Sequence, residues 1–101
     1  RRDVKTPVPS RFPSANFDLA LVTPRSVSTL RLQGALRAAS NFVESIELFD
    51  VYEGAGIDGD ARSLTYAIRL SREDSTLSED EILQARTALL EAASQLGSVL
   101  R

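Results

Sequence analysis

The chain has 101 residues, 43% hydrophobic and 26% charged, which suits one small domain with a single core. It carries no cysteine and no histidine, which excludes disulfides, thiolate metal sites, a cysteine nucleophile and the commonest general base. Its formal net charge of −2 lacks the basic excess with which free-standing nucleic-acid binders neutralise phosphate.

Residues 1–12 read as an extended arm or linker. Pro7, Pro9 and Pro13 each push the preceding residue toward extended backbone. Val8 and Phe12 are its candidates for docking on the core. The domain proper is expected over residues 13–101.

Phe17 to Val22, FDLALV, reads as the first strand, with Phe17, Leu19 and Leu21 facing the core. Apolar residues on both faces suggest a central strand. Thr23-Pro24-Arg25-Ser26 reads as a turn. A helix is then expected from Thr29 to Ser40, with Ser28 as N-cap and a staple between Val27 and Leu32. Leu32, Ala35, Leu36 and Ala39 share one face. Gly34 in its interior would be explained by a close approach of the helix to the sheet.

Val43 to Ser71 reads as strand, glycine loop, strand. Ser45 to Tyr52 is the first run. Arg62 to Ser71 is the second, alternating Leu64, Tyr66, Ile68 and Leu70 against Ser63, Thr65, Ala67 and Arg69. Gly54-Ala55-Gly56-Ile57-Asp58-Gly59 matches G-x-G-x-x-G, but a strand pattern follows it where a dinucleotide site requires a helix. A flexible hairpin loop is the reading. Glu53, Asp58 and Asp60 lack calcium-loop spacing and read as a solvated acidic loop.

The second helix is announced by the capping box Ser78–Glu81 and the staple Leu77–Ile82. Ile82, Ala85, Leu89, Ala93 and Leu96 form its stripe. Arg86 falls within that arc and reads as a stem along the core edge with its head in water. Gly97 ends the helix, and Ser98 to Arg101 form a last short strand. The order β-α-β-β-α-β is the ferredoxin-like split βαβ pattern, an α+β fold. Two helices should cover one face of a four-stranded antiparallel sheet and leave the other open. No apolar run approaches the ~18 residues of a membrane span. No methionine is present, as expected of a fragment or processed product.

If Ile46 and Leu48 face the core, then Glu47, Phe49 and Val51 face outward with Asp18, Ala20, Ser63, Thr65, Ala67 and Arg69. Such a face resembles sheets that stack unpaired RNA bases and read their edges. A bulge near Asp50 would change that register and turn Phe49 away.

Four blocks carry a resemblance to a known family. They are Phe12-Pro13-Ser14 with Asp18 to Val22, Ile46 to Tyr52, Arg62 to Tyr66, and Thr76 to Glu81. In order and spacing the chain resembles the C-terminal ferredoxin-fold anticodon-binding domain of the bacterial phenylalanyl-tRNA synthetase beta subunit. It departs from the common pattern at Asn16-Phe17, Ala61-Arg62 and Ser75, each lowering the positive charge. The resemblance implies tRNA-Phe and a synthetase alpha subunit as partners, in a cytoplasmic alpha2-beta2 heterotetramer. It implies ATP and magnesium for the full enzyme, no cofactor in this fragment, and catalysis in the alpha subunit. The fragment is expected to be monomeric and non-catalytic. Arg62 and Arg69 are the candidates for phosphate or base contact, Phe49 for stacking, and Asp18 and Ser63 for polar reading.

Two other readings stay open from the residues. One is a ferredoxin-like regulatory or dimerisation module for a small ligand. The other is a small acyl-phosphate hydrolase, for which Arg25 sits after the first strand but the phosphate-cradling loop is missing.

Overall fold

A computed structural model describes residues 14–101. The expected arm over residues 1–12, with Val8 and Phe12, lies outside them. The element order is β1 (Ala15–Pro24), α1 (Thr29–Ala39), β2 (Val43–Tyr52), β3 (Ala61–Leu70), α2 (Glu79–Gln95) and β4 (Val99–Leu100). The sheet runs β2-β3-β1-β4 with every pairing antiparallel, and both helices lie on one face. β1 is central, as its two apolar faces suggest.

The buried cluster joins the alternating residues of the strands to the helix stripes. Leu19 and Leu21 of β1, Leu64, Tyr66, Ile68 and Leu70 of β3, Leu32 and Leu36 of α1, and Ala85, Leu89 and Ala93 of α2 form its centre. Each fully buried leucine contributes about 1.5–3 kcal/mol relative to exposure. The Tyr66 hydroxyl reaches the first turn of α1 and donates to the Thr29 carbonyl at 2.9 Å, while burial pushes its pKa up. Tyr66 thus ties the central hairpin to α1.

The helix ends form by local chemistry. Ser28 Oγ accepts from the Arg31 amide at 3.0 Å. Ser78 and Glu81 close the capping box at 3.1 and 2.9 Å. Gly97 has φ 86°, and the bonds from Ser98 N–H to Ala93 O and from Gly97 N–H to Ser94 O turn the chain into β4. Where β4 begins, Ser98 Oγ donates to Thr23 Oγ1 at 3.0 Å, and Thr23 Oγ1 to Leu21 O at 3.1 Å. This pair of buried hydroxyls is satisfied internally.

Two sequence expectations need correction here. Thr23 and Pro24 are not turn residues, because they continue the ladder opposite Arg62 and Ala61. The bend is confined to the residues after them, where Val27 N–H bonds to Pro24 O at 3.0 Å. Gly34 marks no close approach either, since a Cβ built on it meets nothing within 4 Å. Its place in α1 is a propensity cost without a packing gain.

Candidate functional site

The uncovered face of the sheet is set by strand parity. β1 presents Asn16, Asp18, Ala20 and Val22, and β3 presents Ser63, Thr65, Ala67 and Arg69, opposite the buried residues of each strand. In cross-strand rows, Arg69 lies between Ser45 and Asn16, Ala67 between Glu47 and Asp18, Thr65 between Asp50 and Ala20, and Ser63 between Tyr52 and Val22.

β2 departs from strict alternation, and that changes the site. The ladder slips between Val43 and Ser45 and again between Leu48 and Asp50, leaving Glu44 and Phe49 without register partners. A bulge of one residue exchanges the faces of everything beyond it. Val51 therefore pairs with Leu64 on the helix side, and the expectation that it faces outward is overturned. Phe49 is 55% exposed and stands outside the core cluster, so its ring is not a core residue. Tyr52, opposite Ser63, brings an aromatic ring to the open face.

Tyr52 is held at both ends. Its hydroxyl donates to Ala55 O at 3.0 Å, and the Arg101 guanidinium lies 4.8 Å from its ring centroid. At the other end of the face, Asn16, Asp18, Ser45, Glu47, Ala67 and Arg69 line a shallow groove of about 350 Å³. Arg69 Nε pairs with Glu44 Oε2 at 2.9 Å, and Ser71 Oγ donates to Glu44 Oε1 at 2.6 Å. The second unpaired residue of β2 thus steers the one arginine of β3 that faces outward.

The five sequence candidates separate in space. Asp18, Ser63 and Arg69 share the open face. Phe49 sits at the bulge of the edge strand. Arg62 does not join them: it shares the parity of the buried residues of β3, and its guanidinium donates to Val27 O at 3.2 Å and Arg25 O at 3.4 Å. It secures the turn before α1. Arg25 is also engaged, donating to Gly59 O at 2.8 Å and pairing with Glu53. These bonds pin the β2–β3 loop to the β1–α1 turn, and the loop opens no helix. Among the described residues, no three His, Cys, Asp or Glu side chains gather as a metal site. No described helix is long and apolar enough to cross a membrane.

Sequence reasoning did not single out Tyr52, Asp50 or Arg101. The bulge is the signal for the first two, since shifting parity by one after Leu48 turns both outward. No local pattern links Arg101 to Tyr52. Only the sheet order brings them together.

Fold and face together define a ferredoxin-like α+β domain with two helices on one side and a bare, mixed-charge sheet surface on the other. A family model described as the ferredoxin-fold anticodon binding domain matches residues 10–101. The chain is 42% identical over 103 residues to the phenylalanine–tRNA ligase beta subunit of Nocardia farcinica, covering 100% of this chain and 12% of that protein. It is 40% identical over 97 residues to that of Mycobacterium leprae, covering 94% and 12%. It is 42% identical over 100 residues to that of Streptomyces avermitilis, covering 97% and 12%. The chain belongs to the ferredoxin-fold anticodon-binding domain family. It spans about 12% of the length of these relatives.

Proposed function

We propose that residues 13–101 bind the anticodon region of tRNA-Phe as part of a phenylalanine–tRNA ligase beta chain. The observation that carries the reading is the match over residues 10–101 to a family whose description names anticodon binding. The uncovered sheet face is the surface on which such binding would occur.

The chemistry of that face supports reading of unpaired bases. The Tyr52 ring offers a stacking plane. Asp18, Glu47 and Asp50 accept from the amino groups of base edges, and the Thr65 and Ser63 hydroxyls both donate and accept. Arg69 and Arg101 supply cations. The Arg69–Glu44 pair is about half exposed, and such pairs contribute roughly 0–1 kcal/mol, so a phosphate can take Glu44's place at small cost. Carboxylates outnumber arginines on this face, so long-range attraction to RNA is weak. Tethering to a larger RNA-binding enzyme compensates by raising the effective concentration.

In this reading the whole enzyme is a cytoplasmic alpha2-beta2 heterotetramer. The alpha subunit joins phenylalanine to tRNA-Phe with ATP and magnesium. This domain braces the far end of the same tRNA, is monomeric alone, and carries out no bond-making step.

Backbone amide NMR with a tRNA-Phe anticodon stem-loop, at low and moderate salt, tests the reading. Shifts at Tyr52, Ser63, Ala67 and Arg69 are expected. Shifts confined to α1 and α2, or none at millimolar RNA, would overturn it.

A further inference from the structure

We propose that residues 7–10 form a short fifth strand on the free edge of β1, with Pro7 and Pro9 in the parity that blocks any further strand from adding. The inference concerns the edge of the sheet and holds whatever the open face binds.

β1 is 10 residues long, but its outer neighbour β4 reaches only Leu21 and Val22. Arg101 N–H adds one bond, to Ala20 O at 2.9 Å. That bond sets the parity. Ala20 and Val22 aim their backbone groups at β4, and the alternate residues aim theirs at β3. By the same parity the N–H and C=O of Asn16 and Asp18 point to the side where β4 would continue, and both residues are exposed. Among the described residues, no strand pairs with β1 there. A bare half-edge is a template for another chain, and folded proteins cover such edges. On the helix side the same stretch offers Phe17, only partly buried against the core.

The segment that enters β1 fits this gap in length, pattern and charge. A three-residue turn at Phe12-Pro13-Ser14 would set Ser10 opposite Asn16 and Val8 opposite Asp18. Those two positions must exchange backbone bonds with β1, and both carry an N–H. Pro9 then lies opposite Phe17 and Pro7 opposite Leu19, where the N–H of an added strand would point away from β1. Their spacing of two keeps both in that parity, and each also holds the residue before it extended. Their rings would fall on the helix side, beside Phe17. The next residue, Thr6, would meet Ala20, which Arg101 already occupies, so the strand ends where the gap does. Charge favours the same contact. Residues 1–13 hold four cations and one carboxylate, whereas residues 14–101 hold eight arginines and thirteen carboxylates, Asp18 among them.

Amide hydrogen exchange and NMR on the 101-residue chain test the inference. The Asn16 and Asp18 amides are expected to exchange about tenfold more slowly than unpaired exposed amides, as a local opening free energy of about 1.4 kcal/mol gives. A nuclear Overhauser contact should join the α-protons of Pro9 and Phe17. Val8→Pro removes the donor to Asp18 O and should abolish both signals, while Val8→Ala keeps that donor and should preserve them. The amides of Leu19 and Leu21, bonded to β3, report that each variant is folded. Fast exchange at Asn16 and Asp18 in the wild type, absence of the Pro9–Phe17 contact, or protection that survives Val8→Pro would overturn the inference. Protection that rises with protein concentration would overturn it too, by assigning the edge to a second copy of the chain.

Discussion

Gly97 and Pro24 meet where α2 hands the chain to β4. A Cβ built on Gly97 would lie 3.1 Å from Pro24 Cγ, and Gly97 holds φ at 86°. Two constraints therefore coincide. The left-handed backbone disfavours a side chain by about 1–2 kcal/mol, and the proline, fixed in the β1 ladder, has little room to yield. Gly97→Ala is expected to lower the unfolding free energy by at least that much, read as a lower urea midpoint with an unchanged m-value. Gly97→Asn should recover part of the backbone share, because asparagine tolerates this conformation.

Gly34 predicts the opposite sign. It lies inside α1, and an added Cβ touches nothing within 4 Å. Gly34→Ala should stabilise the domain by about 1 kcal/mol through helix propensity alone. A loss of stability would show that α1 has a neighbour at this face.

The link between β3 and α2 should be acid-sensitive. Arg72 pairs with Asp74 at 3.1 Å and with Glu81 at 2.5 Å, and its guanidinium lies 5.8 Å from the Phe42 ring centroid. The Asp74 carboxyl is held below its ordinary range mainly by the hydrogen bond from Arg72. That of Glu81 is held below its range mainly by the Ser78 amide, with Arg72 adding to it. A carboxyl depressed by folding adds stability above its unfolded pKa, and that stability is lost as pH falls through the folded value. Melting temperature should therefore drop as pH is lowered from the ordinary carboxyl values of about 4. The deficit of Arg72→Gln relative to wild type should shrink over the same range. A deficit constant with pH would assign the effect to packing on Phe42 instead.

What the sequence disclosed, and what it hid, follows from how far each signal reaches. Ser78–Glu81, Gly97 and the alternation Leu64–Tyr66–Ile68–Leu70 are local devices, and each sits where the pattern places it. From them the whole β-α-β-β-α-β order can be read. The site was less accessible because it depends on register. Sequence reasoning allowed a bulge near Asp50, but no local pattern fixed that the ladder skips Phe49, and that skip decides which of Val51 and Tyr52 faces outward. Arg62 shows a second limit. Its charge suggested phosphate, but the parity of β3 turns it toward carbonyls of the β1–α1 turn.

Arg62 accordingly predicts a stability effect and no recognition effect. Arg62→Met keeps the apolar stem and removes the donors to Val27 O and Arg25 O. A loss of about 1–2 kcal/mol is expected from charged hydrogen bonds of this kind. The salt dependence of stem-loop binding, which counts phosphate contacts, should be unchanged. A shallower slope in Arg62→Met would return this arginine to the RNA interface.

Tyr52 and Phe49 give the sharpest contrast, because both are aromatic, both belong to β2, and the proposed binding assigns the stacked base to Tyr52. Tyr52 lies in the row of Ser63 with its ring under the Arg101 guanidinium, whereas Phe49 is the skipped residue of an edge strand. Tyr52→Leu removes one base–aromatic stack and should weaken stem-loop binding by about 1–3 kcal/mol. Tyr52→Phe keeps the ring and loses only the bond to Ala55 O, so it should retain most of the affinity. Phe49→Leu should leave both binding and stability within about 0.5 kcal/mol of wild type, as exposed substitutions usually do. Ser63→Ala separates recognition from folding. Removing an unpartnered buried hydroxyl should leave stability unchanged or slightly raised, while binding falls if the oxygen pairs with a base once uncovered. Isothermal titration of the stem-loop beside urea denaturation of each variant reads both quantities. Weaker binding in Phe49→Leu, with Tyr52→Leu unaffected, would mean that the strand recognises RNA from its edge rather than from its open face.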